Sequence, residues 1–395
     1  MKMFNFDFFT PTEIRFGKEA EKETGKMIGK YHGSKVLLHY GSGSVVKSGL
    51  LNKIKTSLDE EHIGYVELGG VVPNPHLDKV YEGIELSKKE KVDFILAVGG
   101  GSVIDSAKAI AYGLAEPDQD VWDLYEHTRK AKACFPVAVV LTIAAAGSEM
   151  SNSSVITNTE NYEKRGYNSD LCRPKFAIMN PEWTISLPAY QTASGCVDIM
   201  MHTMERYFTQ GGNMEITDGI AEALLRTVMK NARILHNDPK NYEARAEVMW
   251  AGSLSHNGLT GCGANGSDFA SHNLEHEMGG MFDVTHGAGL AAVWPSWARY
   301  VYQENLDRFV KFAKRVMGVD ADVPDEEAAL EGIRRMEDFY HSIGMPVNMS
   351  ELGVHPTDEQ IEEMAERCAK ASGGCKGTAK VLYKEDMVNI YKMAL

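Results

Sequence analysis

The sequence predicts an α/β domain over residues 1–187 followed by an all-α domain over residues 188–395. Three observations lead to this prediction. Short β-prone apolar runs recur at regular intervals in the first half, helical patterns separate them, and strand signals become rare after Leu187-Pro188. Strands that alternate with helices form βαβ units around a parallel sheet.

Five apolar runs in the first half are predicted strands, at residues 35–40, 65–69, 93–98, 137–142 and 176–179. Their hydrophobicity is continuous, which is typical of strands covered on both faces. Helical patterns lie between the earlier strands, at residues 43–57, 74–91 and 102–113. The second half shows helical periodicity at residues 190–208, 215–235, 241–257, 305–316 and 326–342.

Composition and charge exclude several kinds of protein. The 395 residues, 44% hydrophobic and 24% charged, are in the globular range and suffice for two domains. A net charge of −14 argues against nucleic acid or an anionic membrane as a partner. The six cysteines are scattered, and the N-terminus lacks the pattern of a secretory signal, so we expect a reduced, cytoplasmic protein.

Glycine-rich segments follow two predicted strands. The strand at 93–98 runs directly into Gly99, Gly100, Gly101 and Ser102, where a helix begins. Bare backbone at the end of a parallel strand lets an anion approach closely, and the helix N-terminus offers N–H groups and a positive dipole. A second glycine-rich segment, which is a weaker signal for phosphate binding, follows the first predicted strand at Gly41, Ser42, Gly43 and Ser44. Together the two segments predict a dinucleotide lying across the strand ends.

Three side chains near these strand ends are further candidates for contacting the dinucleotide. Asp105 lies in the first turns of the helix after Ser102, and Thr142 and Ser148 follow the next predicted strand. Each has a structural alternative, because Asp105 would also complement the helix dipole and the other two suit turns and caps.

Histidines and a carboxylate cluster in the second half at helical spacing. Asp198 and His202 are four residues apart and therefore share a helix face, as do His272 and His276, and His286 follows beyond a Gly-Gly break. A carboxylate with imidazoles suits a divalent ion such as Zn²⁺ or Fe²⁺. The spacing does not decide between His272 and His276 as the ligand.

An alternative interpretation starts from the same segment. His272, Glu275 and His276 match the H-x-x-E-H pattern of inverted zinc metallopeptidases, in which Glu275 would be the base of a hydrolase. The glycine segments and the α/β domain would then have no purpose.

The chain resembles the iron-containing (group III) alcohol dehydrogenases, most closely their NADPH-dependent butanol dehydrogenase branch, over essentially its whole length. The resemblance rests on TPTEIRFG near the start, GGGSVIDSAKAIA, the TxxxxGSE element, the Asp-x-x-x-His pair and HxxxH followed by THG. It implies a dehydroquinate synthase-like fold with a dinucleotide-binding N-terminal domain and a metal-binding helical domain. The implied reaction is hydride transfer between NADP(H) and a primary alcohol or aldehyde such as butanol or butanal.

The resemblance also assigns individual residues. It implies one Fe²⁺ or Zn²⁺ ion held by Asp198, His202, His272 and His286. It places His276 beside the substrate, where we expect it to relay a proton, and Lys164 near the cofactor. It further implies a homodimer to which the N-terminal strand contributes.

We expect the cofactor to be NADP(H) rather than NAD(H). An acidic residue at the end of an early strand binds the ribose 2′-hydroxyl of NAD and repels the 2′-phosphate of NADP. Residues 37–44 contain no acidic residue, and in the resemblance Gly43 stands where NAD-using relatives carry Asp.

Two alternative functions stay open. One is a lyase or synthase of the dehydroquinate synthase type, which needs many basic residues for a phosphorylated substrate. The other is a noncatalytic nucleotide-binding protein.

Overall fold

The computed structural model describes residues 3–41, 43–161, 163–210 and 214–395. The chain divides into two compact units, Thr10–Leu187 and Pro188–Leu395, and the described residues before Thr10 belong with the second. The sequence analysis assigned those first residues to the N-terminal domain. They group with the helical unit because the Phe4 amide donates to the Gly263 carbonyl at 3.2 Å and Phe8 lies beside Gly258.

The N-terminal unit contains a six-stranded sheet in which all neighbouring strands are parallel, with the order β1-β8-β5-β4-β2-β3. A separate antiparallel hairpin joins β6 and β7. The strands are β1 (Glu13–Phe16), β2 (Lys35–Gly41), β3 (Gly64–Val71), β4 (Phe94–Gly99), β5 (Val137–Leu141), β6 (Ser153–Asn158), β7 (Glu163–Asn168) and β8 (Phe176–Met179). The helices are α1 (Thr24–Lys30), α2 (Ser44–Lys47), α3 (Leu50–Glu60), α4 (Leu77–Glu90), α5 (Gly101–Ala115) and α6 (Trp122–Tyr125).

The central strands are apolar because they are covered on both faces. Every residue of β4, β5 and β8 is buried. The predicted helix at 43–57 is instead two helices, α2 and α3, because Gly49 adopts a left-handed backbone with φ 79° between them. The five apolar runs predicted as strands did not include β1, β6 or β7, whose residues are largely polar and lie outside the sheet centre.

The order of the strands defines where a ligand would bind. β2 pairs with β3 on one side and with β4 on the other, so the chain reverses its direction of progress across the sheet at β2. In open parallel sheets, ligands bind beyond the carboxyl ends of the strands at such a point. β2 ends at Gly41 and β4 ends at Gly99, so both glycine segments lie there.

The second unit is built from helices and contains no named strand among its described residues. Its helices are α7 (Ala189–Tyr207), α8 (Glu215–Asn237), α9 (Tyr242–His256), α10 (Ala270–Phe282), α11 (His286–Val301), α12 (Leu306–Arg315), α13 (Asp325–Ser342), α14 (Met349–Leu352), α15 (Asp358–Ala371) and α16 (Lys384–Met393). The predicted break at Gly279-Gly280 is wrong, since α10 continues through both glycines and ends where Asp283 turns left-handed at φ 49°. No described helix combines the length and apolar character needed to cross a membrane.

Candidate metal centre and nucleotide-binding segments

Three histidines surround one carboxylate oxygen in the helical unit. The Oδ1 atom of Asp198 lies 3.3 Å from His202 Nδ1, 3.7 Å from His272 Nε2 and 3.7 Å from His286 Nε2. Asp198 and His202 come from one face of α7, His272 from α10, and His286 is the first residue of α11. The four residues predicted as metal ligands are therefore together.

Three of the four atoms that face one another here make no hydrogen bonds among the described residues. Asp198 Oδ1, His202 Nδ1 and His272 Nε2 are buried polar atoms without a hydrogen-bond partner among the described residues. Leaving such groups buried and unsatisfied costs about 1–3 kcal/mol each. One carboxylate oxygen and imidazole nitrogens are the donor atoms that Zn²⁺ and Fe²⁺ accept. The cluster therefore fits a divalent cation, which would satisfy all of these atoms together.

Burial and charge set the protonation of the histidines. Burial lowers the pKa of His202 well below its usual value, so this imidazole is neutral and keeps a lone pair for a metal. Burial alone would also lower the pKa of His272, but the carboxylates of Glu205 and Asp198 outweigh it and raise this pKa to about 9. The site thus holds an excess of negative charge that favours a cation.

His276 lies next to this cluster and is partly exposed. Its ring centroid is 6.3 Å from that of His272 and 5.8 Å from that of His286. Its partial exposure gives it access to solvent beside the cluster. The metallopeptidase interpretation does not fit, because the carboxylate of Glu275 is fully buried and hydrogen-bonded to His286 Nδ1, where it cannot serve as a base toward water.

The sequence analysis missed two neighbours of the cluster. Glu205 shares the face of α7 with Asp198 and His202, and its helical spacing could have revealed it. The His256 ring lies against His202, with centroids 3.9 Å apart and the ring planes tilted by 30°. No spacing could have predicted that contact, because His256 comes from a different helix, α9.

Arg206 is a basic residue near the cluster, where the lyase alternative needs cations for a phosphorylated substrate. Its guanidinium donates to the main-chain carbonyls of His202 at 2.6 Å and Ser255 at 3.2 Å. These bonds hold α7 against the end of α9. Little of the hydrogen-bonding capacity of the Arg206 guanidinium then remains for a phosphorylated substrate.

The glycine segment after β4 is packed tightly against its own unit. A Cβ atom on Gly100 would lie 2.9 Å from the Ile143 side chain, and one on Gly101 would lie 3.0 Å from Ala146. Glycine is therefore required here by packing alone. Gly100 precedes α5, and Gly101 and Ser102 form its first turn, so the helix N-terminus lies as predicted beyond Gly99.

In the segment after β2, glycine is favoured by the backbone conformation rather than by packing. Gly43 adopts φ +142°, a conformation that L-residues rarely take, and a Cβ atom there would meet nothing within 4 Å. Gly41 ends β2, and Ser44 begins α2 with an exposed side chain. Ser42 lies outside the described residues.

Asp105 and Ser148 hold each other and shape the loop between β5 and β6. The Asp105 carboxylate accepts from Ser148 Oγ at 2.6 Å and from the Val155 amide at 3.0 Å. Lys108, fully buried on the same helix, donates to the carbonyls of Ser148 at 2.8 Å and Ser153 at 2.7 Å. These side chains therefore have a structural role whether or not a ligand is bound.

The two remaining candidates near the cofactor differ in their surroundings. The Thr142 amide donates to the Gly99 carbonyl at 3.0 Å, which places Thr142 beside the glycine segment. Lys164 lies on β7 and is buried. The structure thus brings Thr142 to the predicted cofactor segment.

Comparisons with known proteins extend over the whole chain. A family model described as iron-containing alcohol dehydrogenase matches residues 11–181, and one described as the C-terminal part of the Fe-containing alcohol dehydrogenase family matches residues 192–395. NADH-dependent butanol dehydrogenase A of Clostridium acetobutylicum is 40% identical over 99% of both chains. NADPH-dependent aldehyde reductase YqhD of Escherichia coli is 35% identical over 89% of this chain and 90% of its own. The crystal structure of NADH-dependent butanol dehydrogenase A from Thermotoga maritima matches with a TM-score of 0.95, at 39% identity over 99% of both chains.

Proposed function

Because the chain belongs to the iron-containing alcohol dehydrogenase family, we propose that it transfers a hydride between NADP(H) and a primary alcohol or aldehyde such as butanol or butanal. The observation that carries the proposal is the convergence of three imidazoles on Asp198 Oδ1. A four-residue N/O set of this kind binds one Fe²⁺ or Zn²⁺ ion.

The residues of the helical unit have distinct roles in this proposal. Asp198, His202, His272 and His286 hold the divalent ion, which when bound supplies Lewis acidity toward the substrate oxygen. Asp198 contributes the ligand set's single negative charge, and burial of most of the set keeps water away. His276 moves the proton between the substrate hydroxyl and solvent, as its partial exposure permits.

The N-terminal unit holds the nicotinamide dinucleotide in this proposal. The pyrophosphate lies against the N-terminus of α5 at Gly99, Gly100, Gly101 and Ser102. Asp105, Thr142 and Ser148 lie beside this segment, and the family resemblance assigns Lys164 a place near the cofactor. Gly41, Ser42, Gly43 and Ser44 receive the adenosine ribose. We propose NADP(H) over NAD(H) because residues 37–44 lack an acidic side chain. The names of the relatives include both cofactors, so their ratio is the quantity to measure.

Assembly and location complete the proposal. The N-terminal segment exposes Phe4, Phe6, Phe8 and Phe9, which supports a homodimer that covers them. All six cysteines are free thiols, which supports a reducing, cytoplasmic location.

The test is a panel of aldehydes and alcohols assayed with NADPH and NADH on protein reconstituted with Fe²⁺ or Zn²⁺. We expect oxidation of NADPH with butanal, and its loss after chelation of the metal. His272→Ala should lose both the bound metal and turnover while still binding the dinucleotide, because the N-terminal unit is unchanged. Full activity of that variant in chelated buffer would disprove the metal assignment.

A further inference from the structure

We propose that Glu275 is a positioning residue that holds the Nδ1 atom of His286 and thereby aims its Nε2 atom at the metal centre. The inference rests on the proposed function only in taking Asp198, His202, His272 and His286 as the metal ligands. Its consequence is that Glu275 raises the affinity of the site for a divalent ion without contacting the ion.

The contact between Glu275 and His286 determines which tautomer the imidazole adopts. The buried Oε2 atom of Glu275 is hydrogen-bonded to His286 Nδ1. Because an ionised carboxylate can only accept, Nδ1 carries the proton of the neutral ring. The lone pair then belongs to Nε2, which lies 3.7 Å from Asp198 Oδ1. The carboxylate thus selects the tautomer that a metal needs and holds the ring in place.

The helix that carries His286 also provides room for Glu275. Gly289 follows His286 by three residues and so lies on the same side of α11. A Cβ atom on Gly289 would lie 2.9 Å from Glu275 Cγ and 3.2 Å from its Oε1. Glycine at this position therefore admits the side chain that orients the histidine one turn earlier.

A second ligand histidine also has a buried carboxylate behind it, although there the Nδ1 atom makes no hydrogen bond. Glu205 Oε1 lies 3.4 Å from His272 Nδ1 and accepts from the His272 amide at 3.0 Å. His272 Nε2 in turn lies 3.7 Å from Asp198 Oδ1. Two of the three imidazoles thus have a buried carboxylate behind them while their Nε2 atoms converge on one oxygen, and the hydrogen bond to the ring is made at His286. This repetition argues against a chance contact at Glu275.

The two carboxylates also change the charge balance of the site. Asp198 alone leaves a divalent ion with a net charge of +1, whereas Glu205 and Glu275 bring the group to −1. Both are nearly inaccessible to solvent, so their attraction for the cation is screened little. A carboxylate behind an imidazole also makes it a stronger donor.

The experiment measures metal affinity rather than turnover. Metal-free wild type and Glu275→Gln are titrated with Zn²⁺ against a chromophoric chelator and with Co²⁺ by its visible absorption. We expect affinity to fall about 10- to 100-fold, with a changed Co²⁺ spectrum, because the amide does not carry the charge. Glu277→Gln is the matched control, since Glu277 is buried on the same helix two residues on, and it should bind Zn²⁺ as the wild type does.

A second variant separates position from charge. Gly289→Ala keeps the carboxylate but displaces it, and should also weaken Zn²⁺ binding while leaving dinucleotide binding unchanged. Wild-type affinity in Glu275→Gln would overturn the inference and leave the proposed function standing. A second Zn²⁺ per wild-type chain that Glu275→Gln loses would also overturn it, because Glu275 would then be a ligand. Failure of the wild type to bind any divalent ion would refute the proposed function itself.

Discussion

At the scale of single residues, the site depends on how each imidazole is held. Asp198 Oδ1 is the shared neighbour of three histidines, and a buried carboxylate lies behind two of them, Glu205 behind His272 and Glu275 behind His286. His276 differs, since it is partly exposed and its ring centroid lies 6.3 Å from that of His272 and 5.8 Å from that of His286. Its place beside the ligands rather than among them suits proton transfer.

Replacing His276 with Ala should therefore slow turnover and leave the metal bound. We expect kcat to fall about ten- to a thousandfold, the range for a lost acid–base group. The measurement combines metal content per chain with the pH dependence of kcat, and His127→Ala, in the other unit, is the control histidine. An unchanged rate and pH profile would remove His276 from the mechanism, and loss of metal would make it a ligand.

At the scale of elements, the sequence predicted the strands and helices that hydrophobic periodicity determines. The central strands and most long helices follow from continuous apolar runs and helical spacing, and Asp198 and His202 follow from their four-residue separation on α7. The choice of His272 over His276 needed the resemblance. The contact between the His256 and His202 rings depends on packing between helices, which no local pattern contains.

Whether a glycine breaks a helix was a second feature that the sequence did not predict. A pair at 279–280 indicated a break, yet α10 continues through it because Gly279 is buried within the packed helix. The single Gly49 does break a predicted helix, because its backbone is left-handed. Local sequence does not distinguish these two uses, whereas the surrounding packing does.

The loop between β2 and α2 carries a prediction about cofactor choice. Gly43→Asp should lower kcat/KM with NADPH by about tenfold or more relative to NADH, because a carboxylate would face the 2′-phosphate. The φ of +142° strains any side-chain-bearing residue there, so Gly43→Asn is the necessary control with equal strain and no charge. If both variants change the ratio of kcat/KM for NADPH to that for NADH equally, the charge at this position does not determine how the adenosine ribose is recognised.

β2 also carries a titratable group that links pH to stability. His39 is fully buried, with Nδ1 donating to the Leu68 carbonyl at 3.1 Å and Nε2 accepting from Ser106 Oγ at 2.8 Å. Burial lowers the pKa of His39 from 6.5 to about 4. The stability it contributes is complete above pH 6.5 and is lost as the pH falls toward 4. Between pH 7.5 and 5 the unfolding free energy should fall by about 2 kcal/mol on this account.

Urea unfolding of wild type and His39→Gln at several pH values measures that effect. The variant lacks the titrating group, so its stability should depend less on pH, and the difference between the two proteins should shrink by about 2 kcal/mol between pH 7.5 and 5. A constant difference would show that His39 titrates alike in both states.

At the scale of the whole molecule, the exposed aromatic residues at the N-terminus and the net charge of −14 have opposite effects. Charge of one sign keeps chains apart, whereas several phenylalanines within six residues favour burial against another surface. The proposed homodimer requires the second effect to dominate. The segment is anchored to its own chain by the Phe4 amide, which leaves the outward phenyl rings available.

Replacing Phe4, Phe6 and Phe9 together with Ser should therefore convert a dimer into a monomer. Each is at least 43% exposed in the single chain, so the change removes little packing within it and should not unfold the protein. The mass is measured by light scattering after size exclusion at several concentrations, with Ile216→Ser, which removes an apolar side chain exposed by 76% on α8, as the control. A dimeric triple variant would show that another surface joins the subunits. A monomeric wild type would show that the aromatic segment serves something other than self-association.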